Sequence, residues 1–152
     1  MIGTYWHQNG ADHSIEDGKL AEDDGLNSLV FMMLMTDARA KDSDALPAGT
    51  TDRRGWPGDS FAASPWGSRL WLLAREKLTT TTLQRAEDYA SEALVPLLKG
   101  MAKRYRVTAS RQGRERLRLD ITITKPDDTV MRYGISLRWA AHTLRGEVSH
   151  AL

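Results

Sequence analysis

The residue types in this 152-residue chain that can do chemistry are carboxylates, arginines and a few histidines, and their spacing argues against most catalysis. Glycoside hydrolysis needs two carboxylates held apart across a cleft. Glu76, Glu87, Asp88 and Glu92 are the plausible ones, yet the last three fall on the polar side of a helical stretch, where charge is expected in any case. No Ser/His/Asp arrangement and no Gly-rich phosphate loop is discernible. His7 and His13 with Asp12 lie in a polar N-terminal stretch, and His142 and His150 lie in the C-terminal tail, so no metal-ligand pair sits on a rigid element. Neither a cofactor nor a metal is expected.

Arginine and tryptophan offer recognition chemistry instead. Arg53, Arg54, Trp56 and Asp59 crowd into one loop, and Trp and Arg are over-represented at interface hot spots. The alternative is a loop folded back so that Trp56 fills the protein's own core. Arg69 and Arg75 can hold an acidic partner or be solvated and paired locally, whereas Leu70 and Trp71 have apolar neighbours and read as core.

The charge of +1 hides a segregation. Residues 1–60 carry 5 Lys/Arg against 11 Asp/Glu, and residues 99–152 carry 12 against 5. Such a split fits a nucleic-acid or membrane surface, or two regions that pair with each other or with other subunits. The length suits one domain, able to bury roughly two-thirds of its unfolded surface. Zero cysteines agree with a reducing compartment. The N-terminus lacks the basic start and apolar run of a signal peptide. The longest apolar run, Leu29 to Met35, has seven residues, where a membrane span takes about 20, so a soluble protein is expected.

Several elements must position these side chains. From Asp24 as N-cap, a helix apolar on most sides is predicted to run to about Arg39. A 27-residue connection, Ala40 to Trp66, follows, too long for a plain loop and too aromatic for a plain linker. Leu70 to Ala74 reads as a short buried helix. Thr79 is the predicted N-cap of a long amphipathic helix with the stripe Leu83, Ala86, Ala90, Ala93, Leu94, Leu97 and Met101, ended or kinked near Glu92 to Val95 by Pro96.

Beyond it, three segments alternate strictly: Tyr105 to Ala109, Leu117 to Ile123 and Met131 to Trp139. Their apolar positions are all odd-numbered, so a shared buried face in an antiparallel meander requires loops of odd length. Loops Arg111-Gln112-Gly113 and Pro126-Asp127-Asp128 satisfy this and place Val107, Leu117 and Leu137 in one row, with Tyr105, Leu119 and Ile135 in the next. The opposite face then collects Arg104, Arg106, Arg116, Arg118, Arg132 and Arg138 with Asp120, and sets Arg106 against Arg118. Like charges in that position are unfavourable, so an acidic neutraliser is expected. The fold class is therefore α+β: N-terminal helices packed on a small three-stranded antiparallel C-terminal sheet, with residues 1–23 as an arm, 24–140 as the domain and 141–152 as a tail.

In this order, TDARA (Thr36 to Ala40), DRRGWPGD (Asp52 to Asp59), GSRLWLLAREKLT (Gly67 to Thr79), AEDYASEAL and RLRLDITITKPDDT resemble the small baseplate wedge proteins of Mu-like contractile-tailed phages. That family is similar to the sheath-initiator subunit of the wider contractile injection machines. The likeness covers about residues 24–140 and departs at Ala38, Pro57 and Pro96, where the family tends to have Arg, an aromatic and another aromatic. It implies a non-enzymatic structural subunit of the virion's tail baseplate, assembled in the host cytoplasm and bound to large wedge proteins. It further implies that the tail sheath attaches by adding strands to the small sheet, at open edges along 103–110 and 130–139. Tail tube or hub proteins are further candidate partners. Two rival functions are nucleic-acid binding on the arginine face and, from the lysozyme-like description of some relatives, peptidoglycan hydrolysis. Against the first, Tyr105, Tyr133 and Trp139 lie on the other face, whereas RNA-binding sheets stack bases on exposed aromatics. No nucleic acid and no membrane are expected as partners.

Overall fold

Apolar stripes of two periods, helical before Lys99 and alternating after it, decide how the chain packs. The computed structural model describes residues 25–140 together with the strand segments 4–7, 10–13, 15–16, 19–20 and 143–150, with side chains described over 25–137. At the start, β1 (Thr4–His7) pairs with β2 (Gly10–His13) and β3 (Ile15–Glu16) with β4 (Lys19–Leu20), both antiparallel. The helix α1 (Leu26–Met35) follows. It begins one residue later than expected, because the Gly25 carbonyl accepts the Leu29 N–H at 2.9 Å. It also stops short of Arg39, since Thr36 turns extended and the backbone of 36–38 pairs with Ser68 instead. Phe31 off the main stripe is buried, as an all-round apolar helix demands, but Met32 is half exposed.

The long connection contains one turn of 3-10 helix, Pro57–Ser60, and leads to a second, Leu70–Leu73, whose four side chains are all buried. Next comes α2 (Thr80–Leu94), the predicted amphipathic helix. Thr79 sits extended before it and its hydroxyl accepts the Thr82 N–H at 3.3 Å. Ala86, Ala90, Ala93, Leu94 and Leu97 face inward, joined by Tyr89. Pro96 lacks the donor to continue the helix, so the chain tightens into 3-10 geometry at Val95–Leu98. With the period lost there, Met101 falls off the stripe and is 54% exposed.

The sheet is built from β5 (Arg104–Gln112), β6 (Arg116–Thr124), β7 (Val130–Ala140) and β8 (Thr143–His150), antiparallel and in that order. The α+β architecture and the three-stranded meander stand as the alternation requires. A fourth strand is added from the segment expected as a tail, and it pairs along Tyr133 to Ala140, so that edge is not open. The second hairpin has the predicted three-residue loop, closed by Lys125 N–H to Thr129 O at 2.9 Å. In the first hairpin the loop is Gly113-Arg114-Glu115, which moves β5 along β6. Val107 faces Ile121, Tyr105 faces Ile123, and Arg106 faces Thr122 rather than Arg118. The shift is even, so the buried face is unchanged. Its gain is nine residues matched to nine, with Ile121 and Ile123 covered by β5 instead of running past its end. That inner face, α2, the Leu70–Leu73 turn and α1 merge in one apolar core.

Candidate functional site

The long loop is held at both ends by a parallel bridge that local sequence does not announce. Ser68 N–H donates to Thr36 O at 2.8 Å and Ala38 N–H to Ser68 O at 2.9 Å. The Ser68 hydroxyl donates to Leu34 O, satisfying a carbonyl in the last turn of α1. Gly67 makes the approach feasible: its φ is +101°, and a Cβ there would lie 2.4 Å from Thr36 O.

Between these ends, arginines tie the loop to the core. The Trp71 indole N–H donates to Ala38 O at 2.8 Å, and the Arg54 guanidinium lies 4.5 Å from the centre of the Trp71 ring. Arg54 also donates to Asp37 Oδ2 at 2.6 Å. Arg53 donates to Lys41 O at 2.7 Å while its own carbonyl accepts the Ala40 N–H at 2.9 Å. Arg69 goes deepest, with a side chain only 12% exposed. It donates to both Asp44 oxygens at 2.7 and 2.9 Å and to Glu92 Oε2 at 2.5 Å, and stacks 4.3 Å over Tyr89. Lys41 Nζ adds a 2.6 Å contact to Glu92 Oε1. Burial by itself pushes the Asp44 carboxyl up, but the Arg69 hydrogen bonds, the Lys41 amide and both positive charges hold it below the usual range. Glu92 is lowered in the same way, burial opposing the hydrogen bonds from Lys41 and Arg69.

Arg53, Arg54 and Arg69, singled out as partner hooks, are thus engaged within the chain. What the loop turns outward is aromatic. Trp56 is 45% exposed and does not fill the core; its ring lies against Gly58, where a Cβ would come within 1.9 Å of a ring carbon. Asp59 accepts the Trp66 N–H at 2.9 Å and so shapes the turn. Phe61, at the end of that turn, is 93% exposed. The sequence marks Phe61 as aromatic, but its exposure follows only from the turn that ejects it.

The outer face of the sheet carries the expected arginines, with side chains of Arg104, Arg106, Arg116, Arg118 and Arg132 described. Arg118 pairs with Asp120 at 2.9 Å and Arg104 donates to Thr124 at 3.2 Å. Arg116, Arg138 and Arg145 occupy successive positions in one row of the register across β6, β7 and β8. Arg106 and Arg132 flank Thr122 in another row. The face retains an excess of positive charge that an acidic surface would relieve.

At the other border, β5 is the first strand of the sheet and α2 runs beside it. Glu87 on α2 accepts the Ala109 N–H at 2.7 Å, and the Tyr105 hydroxyl donates to Ser91 O at 2.8 Å. The Ala109 amide therefore points away from β6. Nothing in the sequence marked Glu87 for this role, because it lies among ordinary polar helix residues.

Of the carboxylates weighed for hydrolysis, Glu76 accepts two bonds from Arg85 at 2.6 and 2.8 Å, Glu92 is held by Lys41 and Arg69, and Glu87 by Ala109. None of these three is placed as a free acid facing a second carboxylate. Among the described residues no group of three His, Cys, Asp or Glu could hold a metal ion, and no helix is long and apolar enough to cross a membrane. Surface hollows flank the loop and α1 among the described residues. One, of about 340 Å³, lies between the loop and the end of α2; another, about 550 Å³ and lined largely by apolar side chains, lies between α1, Trp66 and Met101.

The family model described as phage protein GP46 matches residues 26–130. The chain is 47% identical over 127 residues to the baseplate protein gp46 of Escherichia phage Mu, covering 82% of this chain and 88% of that one. It is 32% identical over 141 residues to the Mu-like prophage FluMu protein gp46 of Haemophilus influenzae, covering 91% and 97% respectively.

Proposed function

This chain belongs to the phage protein GP46 family, and from that premise we propose that it is a structural wedge subunit of a contractile-tail baseplate that receives the first sheath ring by strand addition. The similarity to the Mu baseplate protein supports the location in the tail baseplate. The observation that carries strand addition is the state of the two sheet borders. The chain's own β8 covers β7, so the sheet ends at β5 and β8, and neither has a strand on its outer side among the described residues; of the two, β5 lies in the described side-chain region and is the border taken for docking. An edge of this kind offers rows of N–H and C=O groups to an extended segment.

The remaining surfaces fit a division of contacts. Trp56 and Phe61 serve as anchors for a large wedge protein, held out by a loop that Arg53, Arg54, Asp59 and Arg69 brace from behind. Arg104, Arg106, Arg116, Arg118, Arg132 and Arg138 meet an acidic surface of the wedge, tube or hub. Assembly takes place in the host cytoplasm before the finished tail is incorporated in the virion.

A single substitution tests the sheath contact. In β5 the N–H of Val107 points the same way as that of Ala109, outward, so Val107→Pro removes a docking donor without costing a ladder bond. A Mu-like prophage lacking this gene, complemented with the variant, is expected to yield baseplate-bearing tubes without sheath by electron microscopy. Fully sheathed tails from Val107→Pro would overturn the sheath-docking role.

A further inference from the structure

The geometry points to a latched docking site on β5: Glu87 occupies the edge in the free subunit, and an extended partner segment bearing acidic residues on its outer side displaces it. This rests on the strand-addition reading and specifies both the closed state of that edge and the chemistry of the strand it takes.

The latch follows from alternation. Successive residues of a strand send their N–H and C=O groups to opposite sides, and both groups of one residue share a side. Ala109 donates to Glu87, not to β6, so Tyr105, Val107 and Arg111 also present their backbone groups to the open border. The Glu87 carboxylate closes the middle of that row with a 2.7 Å charge-assisted bond. Ser91, one helical turn on and therefore on the same side of α2, accepts the Tyr105 hydroxyl and keeps the helix beside the strand. An incoming strand needs the Ala109 N–H that Glu87 holds. A charged group placed on an open edge also discourages unwanted pairing between copies.

The partner's chemistry follows from what flanks the edge. On the outer face, β5 carries Arg104 and Arg106, both exposed, and Arg106 makes no ion pair among the described residues. On the inner side Tyr105, Val107 and Ala109 are half-buried against the core. A strand laid against β5 therefore puts alternate residues beside arginines and the others beside an apolar rim. Alternating acidic and apolar residues satisfy both, since opposite charges on neighbouring strands attract.

The test uses the full chain and two labelled ten-residue probes, one alternating valine with glutamate, the other valine with lysine, read by fluorescence anisotropy. Wild type is expected to bind the glutamate probe weakly. Glu87→Ala binds it tighter by a factor on the order of ten, the effect of deleting one competing charge-assisted bond. Glu87→Gln, which preserves shape and an accepting oxygen, falls between. The lysine probe binds worse to every form, and Val107→Pro binds neither. Independently of any ligand, hydrogen exchange of the Ala109 amide accelerates in Glu87→Ala while the β6 amides keep their rates. Tight glutamate-probe binding that is indifferent to residue 87, with Ala109 exchange unchanged, overturns the latch and leaves strand addition standing. Equal binding of both probes overturns the acidic partner. Probe binding that survives Val107→Pro locates it elsewhere and removes the strand-addition reading beneath both.

Discussion

The loop from Thr36 to Arg69 and the sheet with its covering helix are held by different physics, and the contrast explains which part is suited to contact and which to support. The sheet half rests on apolar area: Leu117, Leu119, Ile121, Ile123, Ile135 and Leu137 are at most 1% exposed and meet Ala86, Ala90, Leu94 and Leu97. Its stability comes from water exclusion, which is indifferent to pH and tolerant of salt. The loop half buries little beyond Ala38, Ala40 and Ser68 and depends on a glycine approach, a parallel bridge and arginines joined to Asp37, Asp44 and Glu92. Directional ties of this kind hold a long irregular segment in one shape while leaving Trp56 and Phe61 at the surface.

Four experiments break or sharpen this contrast, from the largest effect to the smallest. Leu119→Ala removes a fully buried side chain at the centre of the inner sheet face. It should cost about 3 to 4 kcal/mol in urea unfolding at any pH, as large-to-small core changes do. Gly67→Ala forces a Cβ against Thr36 O in a left-handed conformation. The expected loss is about 2 kcal/mol or more, with amide exchange rising across 36–69 and not in β6. If β6 amides loosen equally, the two halves are one cooperative unit and the contrast fails.

Arg69→Met keeps the apolar stem but takes from Asp44, itself only 10% exposed, the guanidinium bonded to both its oxygens, leaving the Lys41 charge alone. About 2 kcal/mol is expected near neutral pH, discounted from the cost of breaking a fully buried pair because Glu92 is half in water. The same variant carries the pH test. Asp44 and Glu92 have folded pKa values below their unfolded ones, so their contribution is complete above the unfolded values and is lost as pH falls through the folded ones. Wild type should therefore lose stability on acidification below about pH 4, the ordinary carboxylate range. Arg69→Met should lose less over the same window, and parallel curves for the two proteins would disprove the assignment. Trp56→Ala with Phe61→Ala sits at the other extreme. Phe61 is almost fully exposed and Trp56 rests on the Gly58 turn rather than in the core, so stability should change by less than about 1 kcal/mol, while incorporation into baseplates, read by sedimentation of assembled tails, drops sharply.

Much of the fold was legible because periodic patterns report on burial face by face. The stripe of α2, the Thr79 cap, the stop at Pro96 and the inward set of odd-numbered strand residues all follow from local rules. The first hairpin shows where such rules end. Turn preference favoured a loop ending at Gly113, but covering Ile121 and Ile123 with β5 outweighed it and moved the register by an even step. The candidate site was legible by residue type, not by role. Arg53, Arg54 and Arg69 were visible as candidates, yet whether a guanidinium faces a foreign carboxylate or Asp37, Asp44 and Glu92 depends on residues 17 to 25 positions away.

By itself the amino-acid order determined the faces: which side of each helix and strand leaves water, and that the C-terminal arginines share one side of a sheet. Only the tertiary structure decided the edges, namely that β8 covers β7, that Glu87 reaches the Ala109 amide and that Gly67 lies against Thr36. Faces are set by periodicity within one segment, which neighbouring residues encode. Edges are set by which distant backbone arrives alongside, and that choice belongs to the packing of the whole chain.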